Sequence, residues 1–187
     1  TLLASSAASD VYKRQVMECF DFAGLYDVLK TVQNDHDYDY EADKNRIMKY
    51  VKNELARMLS QGLIDEDMNE LINPDLICKF MGSHTARRMA EADKNKLLFR
   101  EKPFVTDYDG ALLQGIIDAF WIEEGRVIVL DYKTDKVKTA EELILRYKTQ
   151  LDLYADALAR IFDTDKSEEL IYLSLIHISE PTRLDVI

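Results

Sequence analysis

The sequence is missing several things that would define it quickly. None of its apolar runs reaches the roughly 18–20 residues that a bilayer-spanning helix needs. It holds only two cysteines, Cys19 and Cys78, far apart along the chain. Two cannot build a four-cysteine zinc or iron–sulfur site, and such scarcity suits a reducing compartment. No Walker A loop is present, so no phosphate cradle for ATP can be named. Positive charge is short as well: 24 Lys and Arg stand against 35 Asp and Glu, a net charge of -11. That weighs against non-specific nucleic-acid binding by the whole surface. It leaves room for one local basic groove, or for acids that hold metal ions. There is no internal repeat and no low-complexity tract. What remains is ordinary globular material, 47% hydrophobic and 32% charged over 187 residues, enough for one domain with a real core.

The two ends stand apart. Residues 5–15 and 173–183 show neither helical nor strand periodicity. Back-translated, Ser9–Gln15 fits TCA GAT GTG TAT AAG AGA CAG, and Leu173–Ile178 fits CTG TCT CTT ATA CAC ATC. Apart from the outermost bases these strings are reverse complements, and they resemble the transposon-end adapter of sequencing libraries. On this reading residues 1–15 and 173–187 are translated adapter, His177 included. Residues 16–172 are then a native segment cut from something longer.

Within that segment the periodicity predicts helices over Val16–Gln33, Lys44–Gln61 and Asp65–Ile72, with Gly62 ending the second. Asn73 and Pro74 read as an N-cap and first helical residue, and helical segments continue to about Asp93. Asn34–Asp43 is an acidic loop in which His36 is exposed. His84 reads as a helix-surface residue. Strand patterns follow at Lys96–Thr106, Leu112–Glu123 and Arg126–Tyr132, with turns at 107–110 and 124–125. Thr139 and Glu142 form a capping box for a helix reaching about Phe162, and Glu169–Tyr172 starts another strand. The expected architecture is a mixed α/β core over 95–172, preceded by a helical part over 16–94, within a single domain.

The chemistry concentrates at "VIVLDYKTD", residues 127–135. Four apolar residues lead to Asp131 and Lys133, two apart and therefore on one face of a strand. An exposed ion pair of that kind contributes about 0–1 kcal/mol and is common. The neighbouring strand gives it more weight. "GIIDAF" places Asp118 inside an apolar run, where a lone carboxylate is costly to bury. A turn centred on Glu124-Gly125 sets Asp118 across from Asp131, about 4.5–5.5 Å apart. Two carboxylates so close repel unless a divalent ion lies between them, and oxygen-rich sites suit magnesium or manganese. Lys133 beside such an ion could orient a water or stabilise charge on a phosphate. In the following helix Gln150 and Tyr154, spaced i and i+4, share one face. Lys136, Lys138, Arg146 and Lys148 concentrate positive charge nearby, able to grip backbone phosphates.

These pieces together, "GIID", "DYKTD", "YKTQLDLY" and the upstream "LFREKPF", resemble the RecB-type nuclease of the PD-(D/E)XK superfamily. More narrowly they resemble the carboxy-terminal nuclease domain of the AddA (RexA) group of bacterial helicase–nucleases. The resemblance covers most of residues 16–172. It implies a restriction-endonuclease-like core, with Asp118, Asp131 and the Tyr132 carbonyl as ligands of Mg2+ or Mn2+. It implies Lys133 as the catalytic lysine, and Gln150 with Tyr154 as the family's Q-x-x-x-Y helix pair. Glu101 holds a recurrent family position without an assigned role. The implied parent is a bacterial cytoplasmic DNA helicase–nuclease of double-strand-break repair by homologous recombination. It would carry ATP in a helicase part absent here and pair with an AddB/RexB-type partner.

One departure stands out. The family carries a metal-binding histidine on its first helix, which should fall at position 14, where this chain has Arg14. The alternative function is a PD-(D/E)XK scaffold that binds DNA or protein without cutting. Intact Asp118, Asp131 and Lys133 disfavour it. A stand-alone CRISPR-associated nuclease is disfavoured by the missing cysteine cluster.

Overall fold

A computed structural model describes residues 12, 14–30, 40–108, 110–133, 140–164, 167–173 and 182–184. Two compact units divide between Lys94 and Asn95.

The amino-terminal unit is helical. Residues 14–19 are helical, followed by α1 (Phe22–Lys30), α2 (Tyr40–Ser60), α3 (Glu66–Leu71), α4 (Pro74–Met81) and α5 (His84–Lys94). The single helix expected over Val16–Gln33 is broken at Phe20–Asp21. The reason is local: the Asp21 carboxylate accepts from the Gly24 amide at 2.9 Å, an N-cap that restarts the helix. The Asp21 amide meanwhile donates to Glu54 at 3.0 Å. Asn73 caps α4 through the Asp75 amide, with Pro74 at its start, and Asp65 caps α3 through Met68. Gly62 ends α2 with φ +67, a conformation that favours glycine. Phe20, Phe22, Leu25, Ile47, Met58, Phe80 and Met89 fill the interior. Lys94 pairs with Asp27 at 2.9 Å, tying α5 to α1.

The second unit is built on one sheet, ordered β1-β2-β3-β4-β5. Its strands are β1 (Leu98–Tyr108), β2 (Ala111–Glu123), β3 (Arg126–Lys133), β4 (Ser167–Leu173) and β5 (Thr182–Leu184). The first three form an antiparallel meander; β4 is parallel to β3 and β5 antiparallel to β4. A parallel pair needs a crossover, and α6 (Ala140–Ile161) supplies it. The β2–β3 turn uses Glu124 and Gly125 at φ +51 and +73, the doubly left-handed turn that matches strand twist. Leu151, Ala155 and Leu158 of α6 form a core cluster with Phe120, Val127 and Val129. β5 falls in the stretch read as adapter. Three extended residues at an open sheet edge can pair whatever their origin. The Asn34–Asp43 loop up to residue 39, His177 and the Thr139 cap lie outside the described residues.

Candidate nuclease site

The site is set by register. Ala119 pairs with Leu130, so the next step along each strand brings Asp118 and Asp131 opposite one another. That is the alignment the Glu124-Gly125 turn requires. Both carboxylates are buried, at 3% and 2% exposure, in a sheet whose neighbouring positions are apolar. Val129 faces α6, and Asp131, two residues on, follows it on that face.

Asp118 occupies a break in two ladders. Between β2 and β3 the paired residues stop at Ala119↔Leu130. The Tyr132 amide instead donates to Asp118 Oδ2 at 2.8 Å. Between β1 and β2, Arg100↔Ala119 and Lys102↔Ile117 are paired while the step between them, Glu101 opposite Asp118, is skipped. Glu101 has φ +48, a left-handed backbone that costs a non-glycine residue about 1–2 kcal/mol. The kink changes which side chains face α6. Phe99 stacks on Phe120 on one side of it, and Phe104 packs against Tyr154 on the other. The sequence pattern gives no sign of this kink beyond an acid within a strand.

On α6, Gln150 Nε2 donates to Tyr154 Oη at 2.6 Å. The Tyr154 ring lies edge-on to Phe104, centroids 5.1 Å apart. Gly115 makes the close approach possible: a Cβ there would come 2.8 Å from Phe104 Cε1 and 3.6 Å from Tyr154 Oη. The expected basic cluster is less uniform. Lys148 Nζ sits 3.0 Å from Asp152 Oδ1, and donating that hydrogen bond raises the ammonium's pKa. Arg146 is exposed. Lys133 closes β3 with its backbone; its side chain, Lys136 and Lys138 lie outside the described residues.

Sequence reasoning missed Glu169. It sits on β4 opposite Val129, only 2% exposed. Burial, and then the Asp152 carboxylate, push its pKa up to about 7, against the pull of Lys148. An acid in the first half of a strand gave the only available hint.

The donor set suits a hard divalent cation. Carboxylate and carbonyl oxygens are its preferred ligands, and two buried carboxylates held face to face favour a cation between them. No group of three His, Cys, Asp or Glu side chains converges among the described residues. Any ion here would draw on the aspartates, backbone oxygen and water.

A meander crossed over by one helix to a parallel strand, with paired aspartates at the β2–β3 step, defines a nuclease core. Residues 25–184 match the PD-(D/E)XK nuclease superfamily, and the chain belongs to it. Among curated proteins it is similar to the A-type subunit of the ATP-dependent helicase/nuclease of Clostridium perfringens, 34% identical over 151 residues. That match covers 71% of this chain and 12% of the relative. The corresponding protein of Clostridioides difficile is 30% identical, over 66% of this chain and 11% of its own. That of Streptococcus sanguinis is 36% identical, over 64% and 10%. The chain thus spans about a tenth of the length of these relatives. No helix among the described residues is long and apolar enough to cross a membrane.

Proposed function

We propose that this chain is the divalent-metal-dependent DNA exonuclease domain of an ATP-dependent helicase–nuclease acting in double-strand-break repair by homologous recombination. The observation that carries the reading is the buried Asp118–Asp131 pair, with the Asp118 carboxylate anchored on the Tyr132 amide. Asp118, Asp131 and the Tyr132 carbonyl would hold Mg2+ or Mn2+. When bound, the ion polarises the scissile phosphodiester and lowers the pKa of the attacking water.

The chain's own groups do the rest. The hydrogen bond that anchors Asp118 fixes the peptide between Asp131 and Tyr132, so the donors are held before substrate arrives. Lys133 orients the nucleophile and offsets charge on the phosphate. The Gln150–Tyr154 pair presents a hydroxyl whose proton is free for a phosphate or leaving-group oxygen, since its oxygen already accepts from Gln150. Lys136, Lys138 and Arg146 hold backbone phosphates. Lys148 joins them only by exchanging Asp152 for phosphate.

Arg14 stands where the family carries a metal-binding histidine, so the chain with Arg14 has weakened activity. The relatives' names support a motor elsewhere in a longer bacterial cytoplasmic protein, supplying DNA by ATP hydrolysis, with an AddB/RexB-type partner. The test is cleavage of linear DNA with Mg2+ or Mn2+ by the Arg14→His chain, alone and with Asp131→Ala. Cleavage lost with Asp131→Ala supports the reading. Equal cleavage by both sinks it and leaves a DNA- or protein-binding scaffold.

A further inference from the structure

The segment Lys44–Asn53 of α2 contains four cations, Lys44, Arg46, Lys49 and Lys52, and no acid, in a chain of net charge -11. The opposite face of the helix is buried through Ile47, Val51, Leu55 and Met58, so these cations share the solvent side. Arg46 is taken by Asp43 at 3.3 Å, and Glu54 is taken by Arg57 at 2.7 Å. No ion pair among the described residues involves Lys44, Lys49 or Lys52. Three ammonium groups on one helix face repel one another unless an anion lies along them.

A groove of about 360 Å3 runs beside this face, lined by Lys44, Asn45, Met48 and Lys52 of α2 with Pro74 and Asp75 of α4. Lys44 and Lys52 are eight residues apart, about 12 Å along the helix, a span of three to four phosphates on one strand of a duplex. The lining holds no aromatic ring on which a base could stack, and Met48 is its one large apolar side chain on α2. A protein partner would want aromatic or apolar anchors; a polyanion needs only the spaced charges. Asp75 on the far wall repels phosphate, which keeps the strand on the α2 side.

We infer that the solvent face of α2 is a second, sequence-neutral phosphate-binding surface, in the helical unit, for the DNA strand on which the nuclease core acts. The identity of the strand as substrate rests on the proposed nuclease function; the phosphate affinity of the surface does not.

The test is fluorescence anisotropy of a labelled single strand of about 20 nucleotides, longer than the span of the three lysines, with the full chain in EDTA, where no cleavage occurs. The Lys44→Gln, Lys49→Gln, Lys52→Gln triple variant should bind about tenfold more weakly, with the slope of log K against log salt reduced by about 2. The corresponding triple Lys→Arg variant should bind like wild type, which separates lost charge from lost folding. An unchanged affinity and slope in the Gln variant, or no salt-dependent binding by wild type, overturns the proposal. Competition by poly-glutamate of equal charge that matches or exceeds competition by DNA also overturns it, and assigns the face to an acidic protein segment. Asp131→Ala, assayed in parallel with Mg2+, separates the two readings. It should abolish cleavage and leave this binding intact.

Discussion

The Tyr132 amide donates to Asp118 Oδ2 at 2.8 Å, joining β2 to β3 through a side chain where the backbone ladder stops. One bond therefore does two things. It satisfies a buried N–H, and it fixes the carboxylate that faces Asp131.

The two roles separate by substitution. Asp118→Asn keeps an acceptor for the Tyr132 amide and loses the charge. Its folding stability should stay near wild type, while DNA cleavage falls at least about a hundredfold. Asp118→Ala loses both, and should also unfold about 1–3 kcal/mol more easily because a buried N–H is left unpaired. Urea titrations beside cleavage assays check this. A wild-type cleavage rate in the Asn variant would show that the charge is idle.

Gly115 sets the distance between β2 and α6. Gly115→Ala would press a methyl group into the Phe104 ring, with Tyr154 behind it. Overpacking of this kind costs about 1–3 kcal/mol. The expected result is a lower melting temperature, with cleavage reduced because the Gln150–Tyr154 pair is displaced. Unchanged stability would mean that the ring moves freely.

Glu169 makes stability depend on pH. Its ordinary value is 4.5, and burial together with Asp152 raises it to about 7. Below about pH 4.5 both folded and unfolded chains hold the proton. From there to about pH 7 the unfolded chain releases it first, so stability falls as pH rises, by roughly 1–3 kcal/mol in all. Glu169→Gln should flatten this decline and be more stable than wild type at about pH 8, where the wild-type carboxyl is ionised. Urea midpoints at about pH 5 and about pH 8 measure it; parallel pH profiles for the two proteins would contradict it.

Much of the second unit was legible because its signals are local. Apolar runs marked β2 and β3, and a two-residue turn with Gly125 fixed their register, which placed Asp118 against Asp131 from the residue pattern alone. The i, i+4 spacing placed Gln150 on Tyr154 in the same way. What escaped depends on contacts distant in sequence. The left-handed Glu101 reflects the break opposite Asp118, and no residue type announces it. Lys148 looked like a phosphate ligand because its own helix partner, Asp152, was not weighed against that use. The burial of Glu169 follows from α6 crossing over β4. The break at Asp21 had a visible signal, an acid three residues before a glycine amide, but the continuous apolar pattern concealed it.

The most direct measurement is titration of Mn2+ into the metal-free chain by isothermal calorimetry, with wild type and Asp131→Asn compared at equal stability. One saturable site in wild type, lost or weakened at least about tenfold in the variant, is the predicted result. Identical affinity and stoichiometry in both proteins would contradict the claim that these two aspartates hold the ion.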